Sequence, residues 1–182
     1  LQIEFNKNQI IMLTKKLFTL ICLVLFVGGL ASAQFKYIGA EKCKMCHNKP
    51  TKGEQFNKWS KLKHANAMKS LSNQASLDYA KANGIADPTK DAGCLKCHST
   101  FGAIKPNEKG GIKVTEGVSC ESCHGPGSAY KSPAIMKNQK LALTKGLIVP
   151  NEETCKSCHN KENPFHKEFN YAEALKKIAH DD

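Results

Sequence analysis

A chain of 182 residues with a formal charge of +11 is long enough for one domain and strongly basic, yet it holds no Arg and only 7% of it is aromatic. That composition argues against the arginine-rich, aromatic-studded face by which a domain grips nucleic acid. Lys, Gly, Ser and Asn are plentiful and long apolar runs are few, so the polypeptide by itself makes a poor hydrophobic core.

Residues 1–11 precede Met12 and are read as an upstream stretch that is not translated. After Met12, Lys15 and Lys16 form a basic start, residues 17–30 are an apolar run, and Ala31-Ser32-Ala33 supplies a small-x-small cleavage site. This is the pattern of a cleaved export signal, with the cut before Gln34 and a periplasmic destination. The run is too short for a transmembrane helix, so membrane contact requires the signal to stay uncleaved. Cys22 lies in the apolar run and is lost with it. The mature chain, residues 34–182, fits a single domain.

Within that domain, residues 54–72 place Phe56, Trp59, Leu62, Ala65, Met68 and Leu71 at three- and four-residue intervals, which predicts one amphipathic helix carrying His64. A second helix is predicted over 77–83, with Gly84 as its stop. Residues 101–118 read as a loop or short hairpin turning at Lys109-Gly110-Gly111. Gly125-Pro126-Gly127 ends any helix before it, and residues 133–143 are a further helix candidate. Asn151 and Asn170 are predicted N-caps of two helices, the second running over 171–180 with Ala174, Leu175, Ile178 and Ala179 on one side. The predicted class is mainly α with extensive loops and very little strand.

Four Cys-x-x-Cys-His motifs punctuate these elements: Cys43, Cys46 and His47; Cys94, Cys97 and His98; Cys120, Cys123 and His124; Cys155, Cys158 and His159. This is the attachment motif of c-type haem. Two thiols add across the two vinyl groups of one porphyrin, and the following His becomes the proximal iron ligand. Paired Cys-x-x-Cys units also build zinc ribbons, and an exported chain rich in Cys can be a disulfide framework. Neither accounts for a His directly after every second Cys. Four covalently bound haem c groups are therefore predicted, and their stack supplies the core that the polypeptide lacks.

The gaps between successive first cysteines are 51, 26 and 35 residues, which excludes a tandem repeat of one module. Residues 34–182 carry a formal charge of +9. Haem propionates and ferric irons bring it to about +5 oxidised and about +1 reduced, a surplus suited to an acidic redox partner.

A low-spin haem needs a second strong axial ligand, and three histidines remain for four irons: His64, His166 and His180. At least one iron therefore lacks His on both sides. Met45 is trapped between two attachment cysteines and Met68 suits core packing, which leaves Met136 as the alternative ligand. Otherwise one iron is five-coordinate or holds water, and can bind a small molecule such as nitric oxide.

The motif Cys43-Lys44-Met45-Cys46-His47 after Tyr37-Ile38-Gly39, the Trp59 to His64 stretch, and the phrase from Glu116 to Gly127 around the third motif are similar to the tetrahaem cytochrome c-554-like family of multihaem c-type cytochromes. The resemblance covers nearly all of the mature chain. It implies a mainly helical fold, closely stacked haem pairs, three bis-His haems and one open high-spin haem, which would be that of Cys94, Cys97 and His98. It also implies a nitrogen-compound oxidoreductase among the possible partners. The chain is shorter than such a protein, and no spare His falls between the second and third motifs.

Electron transfer between redox proteins is the function these features favour. The alternative is reduction of nitric oxide, nitrite or hydroxylamine at the open haem; a third class is a haem-based sensor or subunit. Reduction needs a positioned acid, for which Tyr130, Lys105 and Lys131 are the nearby candidates, each read as exposed. No Cys-x-x-Cys-Lys motif and no Arg for an anion is present.

Overall fold

The computed structural model describes residues 34–180, so the expected signal, Cys22 and the stretch before Met12 lie outside the described residues. Every repeating element among the described residues is helical, and their one strand-like feature is an isolated parallel bridge between Tyr37 and Lys109. The mainly helical, loop-rich class expected from the sequence is the class observed. No helix among the described residues is long and apolar enough to cross a membrane.

The first three Cys-x-x-Cys-His motifs lie on short helices, and Cys155 of the fourth lies on another. Helix α1 (Ala40–His47) carries the first. Helices α2 (Gln55–Ser60), α3 (Ala67–Ser70) and α4 (Gln74–Ala82) follow. Helix α5 (Ala92–His98) carries the second motif, α6 (Thr100–Ala103) follows it, and α7 (Cys120–His124) carries the third. Then come α8 (Pro133–Met136), α9 (Gln139–Thr144), α10 (Glu152–Lys156) and α11 (Tyr171–Ile178). The fourth motif begins on α10 and its His159 lies just beyond it.

Local signals set several boundaries. Asn73, Asp91, Asn138, Asn151 and Asn170 each accept a backbone N–H of the first turn from their side chains. Gly84 takes φ 67° past the end of α4, as expected of the stop there. Gly125 takes φ 75° and ends α7 directly after His124.

Other boundaries differ from expectation. The single helix predicted over 54–72 is broken into α2 and α3, and His64 lies in the turns between them. Leu62, Asn66 and Ala67 donate to carbonyls only three residues back, and Asn66 Nδ2 takes the Leu62 carbonyl at 3.1 Å. The His64 carbonyl meanwhile accepts the distant Val118 N–H at 2.9 Å. A tertiary contact thus holds the backbone there off the helical path. Residues 133–143 likewise form two helices, because the Asn138 side chain starts a new one by accepting from Leu141 N.

The segment 101–118 contains no hairpin of its own. Lys109-Gly110-Gly111 instead runs beside Tyr37 and Ile38: Tyr37 N donates to Glu108 O and Gly110 N to Tyr37 O, both at 2.9 Å. A Cβ on Gly110 would stand 2.6 Å from the Tyr37 carbonyl, so close approach rather than a turn explains that glycine. Helix α11 stops at Ile178, leaving Ala179 extended and His180 outside the helix, two residues short of the predicted end. Its expected apolar side is only partly covered, with Ala174 and Ile178 half-buried and Leu175 exposed.

The protein core is thin. Its buried apolar residues are Ala40, Leu71, Ala80, Ile112, Tyr130 and Ala142, mostly small or scattered. The largest fully enclosed side chains are polar: Glu121, Thr100, Ser99 and Ser119. Such an interior does not resemble the Leu- and Phe-filled centre of an ordinary domain.

Candidate haem-binding site

In an α-helical turn, residues at i, i+3 and i+4 share one face. Cys-x-x-Cys-His on a short helix therefore presents two thiols and an imidazole to one body. All eight motif cysteines are free of disulfides. Among the described residues no group of three or more His, Cys, Asp or Glu side chains is gathered to hold a metal ion.

The motifs are brought together. The Cys43 and Cys120 thiols lie near enough to shift each other's ionisation, which sets the first motif beside the third. Cys158 acts on Cys97 in the same way, setting the second beside the fourth, and Cys155 and Cys158 act on Cys123, setting the third beside the fourth. The nearness of Cys43 raises the Cys120 thiol, and burial adds to it. Burial pushes Cys97 up to about 11, with help from Cys158, and pushes Cys123 up to about 11. The neighbour relationship with Cys120 lowers the Cys43 thiol.

The histidines are oriented by their second ring nitrogen. His47 Nδ1–H donates to Gln55 Oε1 at 3.3 Å, and His98 Nδ1–H to Ala67 O at 3.0 Å, with Ser70 Oγ also 3.1 Å away. His124 Nδ1–H donates to Ile148 O at 3.3 Å, and His180 Nδ1–H to Ile178 O at 3.0 Å. Occupying Nδ1 leaves Nε2 as the lone-pair donor, the tautomer that a metal-ligating His needs. Burial holds His64 and His159 below the usual histidine range, His159's charge adding to the first and His166's to the second. Neutral imidazole is the form that coordinates.

Two of the spare histidines face motif histidines. The rings of His64 and His159 lie with centroids 6.0 Å apart at 71°, and those of His124 and His180 lie 6.0 Å apart at 77°. With metal–nitrogen bonds of about 2 Å on each side, two imidazoles on one metal place their centroids about 6 Å apart. Phe169 stacks on His159 at 5.0 Å and 18°. His166 is half-buried in the loop after the fourth motif. Met136 is half-buried at the end of α8, Met68 is half-buried on α3, and Met45 is 68% exposed.

Sequence reasoning passed over the residue that organises the first and third motifs. Glu121, between Cys120 and Cys123, is 1% exposed and accepts four backbone contacts. Its oxygens take Ile38 N at 2.9 and 3.0 Å, Gly39 N at 2.8 Å and Gly127 N at 2.7 Å. Glu116 takes Ala40 N at 2.8 Å. The N-terminal amides of α1 are therefore met by two carboxylates, the charge that a helix start favours. Burial lifts the Glu121 carboxyl above the usual range, the three amide donors pull it back, and Glu116 lifts it further. An acid at the second position of a haem motif, followed by Gly127, is the only local signal of this role.

Tyr130 also departs from expectation, because it is 7% exposed rather than on the surface. Its hydroxyl donates towards His124 O and Gly125 O at 3.1 and 2.9 Å, so it props the third motif. Burial raises its phenol well above the usual value, which makes it a poor proton donor. Lys105 and Lys131 are exposed, as expected.

These features fit haem c. Each motif supplies two thiols and an imidazole, Nδ1 partners set the tautomer of His47, His98 and His124, and large buried apolar side chains are few. Two buried polar atoms without a protein partner among the described residues, Asn48 Oδ1 and Ser119 Oγ, flank the first and third motifs. The family model described as "Cytochrome c554 and c-prime" matches residues 42–125. A curated relative, cytochrome c-554 of Nitrosomonas europaea, is 31% identical over 153 residues, which covers 72% of this chain and 61% of that protein. The chain belongs to the cytochrome c554-like family. Covalently bound haem c is accordingly its cofactor. The chain thus spans less than two thirds of the relative's length. No solved structure matches the cytochrome significantly.

Proposed function

We propose that this cytochrome is a periplasmic tetrahaem electron-transfer protein that passes electrons between redox proteins. The observation that carries the reading is the pairing of thiols from different motifs, Cys43 with Cys120 and Cys97 with Cys158. Thioethers formed at neighbouring sulfurs bring porphyrin edges close, and electron transfer slows steeply with edge separation. Haem c, when bound, supplies the one-electron couple. The chain's own part is to hold each group by two cysteines, aim His47, His98 and His124 through their Nδ1 partners, and tie the first motif to the third with Glu121.

Four haems are proposed, one on each motif. The 6.0 Å spacings support His64 as the second ligand opposite His159 and His180 as the second ligand opposite His124. Those assignments leave His166 alone for the irons of His47 and His98, so one iron carries a single imidazole. The partner proposed is a redox protein with an acidic face, because lysines exceed acids over residues 34–182. Nitric oxide is the small ligand proposed for the open iron. Enzymatic reduction there is the less favoured reading: the Tyr130 hydroxyl is spent on two carbonyls, and Lys105 and Lys131 face solvent.

The test is direct. Denaturing mass spectrometry of the exported protein should give the chain from Gln34 plus four haems, and N-terminal sequencing should begin at Gln34. The reduced protein should then be oxidised by a second cytochrome without consuming nitrite or hydroxylamine. Fewer than four haems would remove the tetrahaem reading, and steady turnover of either compound would replace the carrier with an enzyme.

A further inference from the structure

We infer that an acidic redox protein docks on the face formed by α1 and α2, and that electrons cross there through the haem of the first motif. The inference deepens the electron-transfer reading and rests on it. What carries it is an uneven distribution of charge that the net value of the chain conceals.

Residues 34–72 hold nine Lys against two acids, and residues 122–150 hold four Lys and no acid. The segments around the second and fourth motifs, 73–98 and 151–182, hold eight Lys against ten acids. Several of those lysines are matched: Lys90 with Asp87 at 2.9 Å, Lys96 with Glu162 at 2.7 Å, Lys156 with Glu152 at 2.9 Å and Lys176 with Glu173 at 2.8 Å. The two acids of 34–72 are engaged locally, Glu41 with Lys44 at 3.6 Å and Glu54 with Asn57 Nδ2 at 3.0 Å. Lys42, Lys49, Lys52, Lys61 and Lys63 are exposed and make no ion pair among the described residues. Haem propionates lower the charge around every motif alike, so the asymmetry persists in the holoprotein.

The basic face surrounds one attachment motif. On α1, Lys42, Met45 and Cys46 stand at i, i+3 and i+4 and share a side of the helix. Met45 is 68% exposed, and Cys46 is exposed where the other seven motif cysteines are partly covered. The chain turns sharply after α1, with Gly53 N donating to Pro50 O at 3.2 Å and Glu54 N to Lys49 O at 3.3 Å. Lys49 and Lys52 lie on that turn. It returns α2 against α1, where His47 Nδ1–H meets Gln55 Oε1 at 3.3 Å and Lys44 Nζ lies 5.1 Å over the Phe56 ring.

A sulfur at the surface, an apolar side chain beside it and lysines around both suit a short-lived electron-transfer contact. Such contacts are small, and their attraction acts before the surfaces meet. Like charge keeps a second copy of this chain off the same face. The complementary partner carries carboxylates around its own redox centre. One electron crosses in each encounter: the centre on one protein is oxidised by one electron as the centre on the other is reduced by one.

The probe is a reduced plant-type [2Fe–2S] ferredoxin, an acidic one-electron donor of low potential, mixed with the oxidised holoprotein. Stopped-flow spectroscopy at low salt gives the second-order rate constant. The triple variant Lys42→Glu, Lys49→Glu, Lys52→Glu should lower it more than about tenfold. The triple variant Lys81→Glu, Lys167→Glu, Lys177→Glu makes the same change of net charge on the other segments and should lower it less than about threefold. At about 1 M salt, where the screening length is about 3 Å, all three proteins should react at similar rates. Carbodiimide cross-linking should join ferredoxin carboxylates to lysines within 42–63. Equal slowing by both triple variants would show that net charge alone acts, and cross-links gathered at Lys131 to Lys145 would move the contact to the segment after the third motif. Either result overturns the inference. So would binding to phosphatidylserine vesicles that the first variant abolishes while its ferredoxin rate stays native, which would make the face a membrane contact. Four haems by mass and complete reduction by dithionite in every variant separate these outcomes from a failure of the tetrahaem reading. A native four-haem protein that takes no electron from ferredoxin at any salt would overturn the electron-transfer reading itself.

Discussion

The Glu121 carboxylate, inside the third attachment motif, accepts the backbone N–H of Gly39 at 2.8 Å across 82 positions of sequence. Gly39 immediately precedes α1 and the first motif, so one buried acid ties the first Cys-x-x-Cys-His motif to the third. Its oxygens also hold Ile38 and Gly127, and no neutral side chain of this shape can accept from all three.

Glu121→Ala strands three buried amides. Donors left unsatisfied, together with lost charge-assisted bonds, put the expected destabilisation at about 3 kcal/mol or more. Chemical denaturation of the holoprotein measures it. The same variant should weaken the magnetic coupling between the first and third haems in EPR, because α1 is no longer held against α7. A midpoint equal to that of the native protein would show the acid to be dispensable.

The raised Glu121 carboxyl has a defined pH signature. Its folded value lies above the unfolded one, chiefly through burial, so the folded state binds the proton more tightly. Stability contributed by this group is therefore present at low pH and falls as pH rises from the ordinary glutamate range through the raised value. Denaturant midpoints between those limits should decline in the native protein, and Glu121→Gln should remove that component while lowering the midpoint overall.

His64→Ala should convert the haem of His159 from low-spin to high-spin and raise its potential, since a strong imidazole donor is lost. His180→Ala should do the same for the haem of His124. EPR counts the spin states and redox titration follows the potentials. The double variant should show both conversions.

Gly117 adopts φ 66°, and a Cβ there would stand 2.7 Å from the His64 carbonyl and 2.8 Å from that of Ala65. Gly117→Ala should therefore cost about 2 kcal/mol through strain and displaced backbone. The readout that separates this from general loosening is the fourth haem: its low-spin signal should broaden or shift as His64 moves. The other haems should keep their spectra.

Features set by neighbours in sequence were legible in sequence. Two thiols and an imidazole at i, i+3 and i+4 need only one helical turn to share a face, so the motif and its spacing are readable without coordinates. The caps at Asn151 and Asn170 and the stops at Gly84 and Gly125 are equally local. Tertiary structure decided the rest. The apolar spacing over 54–72 promises one helix, but Val118 takes the His64 carbonyl and the chain bends there. Lys109-Gly110-Gly111 looks like a turn, yet its glycines admit the backbone of Tyr37 and Ile38 instead. Which thiols are neighbours, which imidazoles face each other and where Glu121 reaches all join residues tens of positions apart. Composition and periodicity report the preferences of a residue and its nearest neighbours; a carboxylate choosing among distant amides answers to packing, which exists only once the chain has folded.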